Sequence, residues 1–140
     1  MGKHSVRVLV VDDYKSWRDF ASATLHEQPD WQVVAEVSDG LEAVHQAVQL
    51  QPDLILMDIG LPKLNGIRAA RRIQAVSPAS RILFTSENRS PAIVHEAVNS
   101  AGGYVLKSDA GTELLAAAKA VLAGKRFISE SLAGVFAPGF

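Results

Sequence analysis

The sequence predicts an α/β protein, a doubly wound parallel sheet flanked by helices. Three observations carry that prediction. Strand-like apolar runs alternate with helical stripes along nearly the whole chain. Several of the runs are continuously apolar, as strands buried on both faces of a parallel sheet must be. Chemistry-bearing residues recur at the strands' carboxyl ends, where an open α/β sheet keeps its ligand site.

The strand-like runs are Val8-Leu9-Val10-Val11, Val33-Val34-Ala35 with Val37, Leu54-Ile55-Leu56-Met57, Ile82-Leu83-Phe84 and Tyr104-Val105-Leu106. Trp17, Phe20, Ala21, Thr24 and Leu25 then fall at i, i+3, i+4, i+7 and i+8, so they line one face of a helix. Leu114, Leu115, Ala118, Val121 and Leu122 repeat that stripe near the C-terminus, and Leu41, Val44, Ala47 and Val48 do so more loosely. Weaker helices are predicted over 65–76 and 91–100, the second entered through Ser90-Pro91, a cap followed by a first-turn proline. Strict alternation of five strands and five helices implies right-handed crossovers. After Ala123 the text GKRFISESLAGVFAPGF loses periodicity, so residues 125–140 read as a tail or the start of a linker.

The 140 residues suffice for one domain with its own core. A net charge of −1 excludes a general basic surface for nucleic acid or anionic lipid. The absence of cysteine excludes disulfides, a thiolate nucleophile and Cys-type zinc sites, and is compatible with reducing cytosol. No signal peptide and no membrane span is expected. Neither G-x-x-x-x-G-K-[ST] nor G-x-G-x-x-G occurs, so no nucleotide loop is expected. His4, His26, His45 and His95 lack metal-ligand spacing, and Arg68, Arg71 and Arg72 read as a solvated helix face.

The strand ends converge on one chemistry. The first closes on Asp12-Asp13, the third on Asp58, the fourth on Thr85-Ser86 and the fifth on Lys107. Any one of these has an ordinary structural reading, such as a turn or a solvated strand end. Asp39 before Gly40 keeps that reading as a turn former. Shared placement on one rim sets the others apart. Adjacent carboxylates raise each other's pKa, and three of them with a single ammonium leave about two negative charges uncompensated. A divalent cation would offset these, and all-oxygen ligands with room for water suit Mg²⁺ rather than zinc.

These residues resemble the receiver domain of bacterial two-component response regulators. The matching text is VLVVDD at 8–13, LILMDIGLPKLNGI at 54–67, ILFTS at 82–86 and GGYVLKSDA at 102–110. MDIGLPKLNG, with GGYVLK downstream, is most similar to receivers that precede a LuxR-type helix-turn-helix domain. The resemblance covers residues 5–124 and implies a flavodoxin-like (βα)5 domain with a five-stranded sheet of order 2-1-3-4-5. It implies that Asp58 accepts a phosphoryl group from a sensor histidine kinase. Asp13, Asp58 and the Gly60 carbonyl would hold Mg²⁺, with Asp12 in support through water. Lys107 and Thr85 would receive the phosphoryl oxygens, while Thr85 and Tyr104, the latter on an edge strand, would form the switch. Where many receivers have proline after the lysine, this chain has Ser108.

The implied function is a phosphorylation-dependent switch, a regulatory domain rather than an enzyme, located in the cytoplasm. Its output would be a homodimer, or DNA contact through a C-terminal domain outside this chain. RFISESLAG resembles the segment leading toward such a domain. The alternative is a stand-alone or phosphorylation-independent receiver acting as an interaction module. A flavin carrier would place hydroxyls and glycines, not Asp-Asp, after the first strand. An Asp-based phosphatase would carry Asp-x-Asp there, followed by a cap insertion.

Overall fold

A computed structural model describes residues 5–135. Its elements run β1 (Val6–Val11), α1 (Lys15–Leu25), β2 (Trp31–Val37), α2 (Gly40–Leu50), β3 (Leu54–Met57), α3 (Gly66–Val76), β4 (Arg81–Ser86), α4 (Pro91–Ser100), β5 (Gly103–Leu106), α5 (Ala110–Leu122) and β6 (Phe127–Ile128). All neighbouring strands are parallel, in the order β2-β1-β3-β4-β5-β6. The doubly wound prediction therefore holds, with one correction: the sheet has six strands rather than five.

Alternation along each strand divides the core in two. Val8, Val10, Leu54, Leu56, Leu83 and Val105 pack under α1 and α5, while Leu9, Val11, Ile55, Met57, Phe84 and Leu106 pack under α2, α3 and α4. Burial on both faces is why these runs are continuously apolar. The caps follow local chemistry. Asp39 accepts from the Glu42 N–H at 2.8 Å and Asn65 from the Arg68 N–H at 3.0 Å, each satisfying an orphan donor of the first turn. Ser90 occupies the cap position of α4, although its hydroxyl makes no capping bond. A Cβ at Gly66 would collide with the carbonyl of Asp58, so only glycine lets α3 begin against the end of β3.

The sixth strand comes from the segment expected to be a tail. Its anchor is Ser129, which is fully buried. The Ser129 N–H donates to the Tyr104 carbonyl at 3.0 Å, its Oγ accepts from the Leu106 N–H at 2.8 Å, and the hydroxyl donates to Glu113 Oε1 at 2.6 Å. Glu113 Oε2 also accepts from the Glu130 N–H at 3.1 Å. Leu132 then enters the core on the α4 side. Two residues of strand carry no readable periodicity, so the sequence concealed them. One consequence corrects the placement of Tyr104: β5 is an inner strand, not an edge. The closing Ala-Pro-Gly-Phe lies outside the described residues, as do residues 1–4.

Candidate functional site

The crossovers deliver the ends of β1, β3, β4 and β5 to one cleft. Asp12 follows β1 and is fully buried, its N–H bound to the Val37 carbonyl at 3.1 Å. Its Oδ1 accepts from the Tyr14 N–H at 2.9 Å, closing the turn into α1. Its Oδ2 lies 2.7 Å from Lys107 Nζ. Asp13, next in the chain, is exposed and lines the mouth of the cleft. Asp58 follows β3, its N–H bound to the Val11 carbonyl at 3.0 Å. Asp58 Oδ1 accepts from the Ile59 N–H at 2.8 Å, and Oδ2 lies 3.5 Å from Lys107 Nζ. One oxygen from each of Asp12, Asp13 and Asp58 lies within 4.8 Å of the others.

The electrostatics of this cluster are unfinished. Burial pushes the Asp58 carboxyl above its ordinary pKa; Lys107 opposes that shift and the charge of Asp12 adds to it. Burial alone would lower the pKa of Lys107, but Asp12 and Asp58 outweigh it and hold the ammonium above its ordinary value. One firmly protonated lysine thus faces three carboxylates. That donor set fits a hard divalent cation, and the acidic pocket could bind one. The cleft has a volume of about 410 Å³, and Asp13, Asp58, Gly60, Ser86, Asn88 and Lys107 are among its lining residues.

Thr85 is fully buried, and its hydroxyl has no hydrogen-bond partner. It stands beside Asp58 in the register that runs on from Met57 paired with Phe84. Tyr104 is fully buried too, and its hydroxyl donates to the Asn88 carbonyl at 2.7 Å. Asn88 is in turn held by the Ser86 hydroxyl, which accepts its N–H at 3.0 Å. The Tyr104 phenol lies above its ordinary pKa, chiefly through burial, with hydrogen bonding to Ser86 acting the other way. The Lys107–Ser108 peptide is trans, like every peptide bond among the described residues.

Asp12, Asp13, Asp58 and Lys107 are therefore brought together, Gly60 lies on the cleft wall, and Thr85 and Tyr104 sit on the adjoining strands. Three neighbours escaped the sequence reading. Lys107 Nζ stands 5.2 Å from the ring centroid of Trp17 and 5.7 Å from that of Tyr14. Trp17 had registered merely as part of the α1 stripe. Asn88, the loop partner of Tyr104, carried no signal of its own. Asp39, read as a turn former, caps α2 and lies 3.6 Å from Lys63.

Comparison with known proteins follows the same outline. Residues 8–119 match the family model of the response regulator receiver domain. The transcriptional regulatory protein LiaR of Bacillus subtilis is 35% identical over 130 residues, covering 92% of this chain and 62% of LiaR. The nitrate/nitrite response regulator protein NarL of Escherichia coli K12 is 33% identical over 131 residues, covering 93% of this chain and 61% of NarL. The chain thus spans less than two thirds of the length of these relatives. A crystal structure of a LuxR-family two-component response regulator from Aurantimonas sp. SI85-9A1 superposes with a TM-score of 0.87 at 35% identity, covering 93% of this chain and 94% of that one.

Proposed function

The chain belongs to the response regulator receiver family, and we propose that it works there as a phosphorylation-dependent switch whose acceptor is Asp58. The donor is the phosphohistidine of a sensor kinase. A carboxylate oxygen of Asp58 attacks phosphorus, an O–P bond forms as the N–P bond breaks, and the imidazole leaves with the bond's electron pair and takes up a proton. Asp58 becomes an acyl phosphate. Asp13, Asp58 and the Gly60 carbonyl, with Asp12 in support through water, would hold Mg²⁺, which neutralises phosphoryl charge when bound.

Lys107 and Thr85 receive the phosphoryl oxygens. The observation that carries this reading is the unpaired, fully buried Thr85 hydroxyl near the end of β4, the strand between those that lead to Asp58 and Lys107. A buried hydroxyl without a partner costs stability, and a phosphoryl oxygen would supply what it lacks. Because Tyr104 is already inside, the switch concerns how firmly that ring and the Asn88 loop are held, rather than entry of the ring from solvent. We assign the receiver to residues 5–124, extended by the β6 segment, with the remainder leading toward an output domain. Self-association or a C-terminal DNA-binding domain would read the switch, and the protein would act in the cytoplasm. No helix among the described residues is long and apolar enough to cross a membrane.

The test is direct. Incubated with Mg²⁺ and acetyl phosphate, the chain should gain one acid-stable, hydroxylamine-labile phosphoryl group that mass spectrometry maps to Asp58. Asp58→Asn should carry none. Label at full level on that variant would defeat the assignment.

A further inference from the structure

We propose that Trp17, with Tyr14 beside it, is a positioning residue for Lys107, the two rings forming a seat that holds the ammonium between Asp12 and Asp58. This rests on the phosphoryl-acceptor reading above and adds a part that α1 plays in it. A lysine ends in a point charge on a flexible four-carbon stem, so nothing in the side chain itself fixes where that charge sits. Here its Nζ lies 2.7 Å from Asp12 and 3.5 Å from Asp58, with the two aromatic centroids at 5.2 and 5.7 Å. The Lys107 side chain is 11% exposed, the condition in which attraction between a cation and a ring face is strongest.

The indole carries a second, independent sign. Its Nε1 is buried and has no hydrogen-bond partner. An orphaned donor is a cost, and the α1 stripe asks of position 17 only that it be apolar. Leucine would fill the stripe without that cost. What indole offers and leucine lacks is a π face, and that face is turned to Lys107. Two contacts keep the seat in place. Phe20 braces Trp17 with centroids 5.2 Å apart, and Asp12 Oδ1 holds the Tyr14 N–H at 2.9 Å. Asp12 thus pairs with the lysine through one oxygen and holds the Tyr14 backbone with the other. The ammonium is left a short swing from Asp12 toward a group on Asp58, and such preorganisation lowers the cost of reaching the transition state.

Two measurements test the seat. The first needs no phosphodonor. In a Trp31→Phe background Trp17 is the sole tryptophan, and Lys107→Met should change its emission; an unchanged spectrum overturns the seat. The second uses acetyl phosphate with Mg²⁺. Trp17→Leu should slow labelling of Asp58 roughly three- to tenfold, and Trp17→Phe should stay within about twofold of the parent. In a Lys107→Met background Trp17→Leu should slow labelling no further. Equal slowing with and without Lys107 would mean that Trp17 merely supports the fold, and the proposal would fail. If the parent protein took no label at all, the acceptor reading would fall while the emission experiment still decided the seat.

Discussion

Two of the regions that bury polar groups treat them in opposite ways. At the β5–β6 junction every polar atom of Ser129 is used, binding Tyr104, Leu106, Glu113 and Leu132. At the rim of β1, β3 and β4, Asp12 and Asp58 share one ammonium, and the Thr85 hydroxyl has no partner. A satisfied network holds a fold together, whereas an unsatisfied one stores a demand that a ligand can meet. Burial alone therefore does not separate structural polar residues from functional ones. Satisfaction does.

The contrast can be broken most forcefully with a cation. Mg²⁺ at a hundred times its dissociation constant should stabilise the fold by about 2.7 kcal/mol, read as a rise in melting temperature over an EDTA control. Asp13→Asn should lose most of that gain. An equal gain in both proteins would remove Asp13 from the cation's ligands.

Next in size is the satisfied side. Ser129→Ala leaves the Leu106 N–H and a Glu113 oxygen short of partners, and should cost about 1–3 kcal/mol in denaturant unfolding. The rim should answer differently. Thr85→Val keeps the shape and removes an orphan hydroxyl, so stability should hold or rise by up to about 1 kcal/mol, while acetyl phosphate labelling slows. Were Thr85→Val to destabilise as much as Ser129→Ala, the two regions would not differ in kind.

The smallest effect concerns Tyr104, which joins them through its hydroxyl on Asn88 and its carbonyl on Ser129. Its folded pKa lies above 10.0, so the fold favours the protonated phenol. That contribution is complete below the unfolded pKa and is lost as pH rises through the folded one. Phenolate absorbance should accordingly show one of the two tyrosines ionising late, in step with alkaline loss of structure.

The same distinction explains what the sequence disclosed. Val8–Val11 and Leu54–Met57 are continuous because both sheet faces are covered, and their ends therefore name the cleft. The acids and Lys107 were legible because each closes such a run. β6 was not, since Phe127-Ile128 is too short to show a period and is held by main-chain bonds and the neighbouring Ser129. Nor was the aromatic seat, because Trp17 serves a helix stripe and a cation at once, and periodicity reports the first role alone. The edge position expected for Tyr104 failed for the reason β6 was missed: a strand of two residues still covers its neighbour.

That short strand also shapes one of the sheet's two edges, the one opposite β2. A sheet's last strand is a template on which a foreign chain can lengthen it. β6 is only two residues long, too brief to serve as one. A fragment cut before Phe127 would instead uncover the Gly102 and Tyr104 carbonyls and the Leu106 N–H, laying bare the main chain of Gly-Tyr-Val-Leu. Phe127 to Ser129 thus hem the main chain of β5, and a receiver shortened by that hem should clump in concentrated solution where the longer chain stays dispersed.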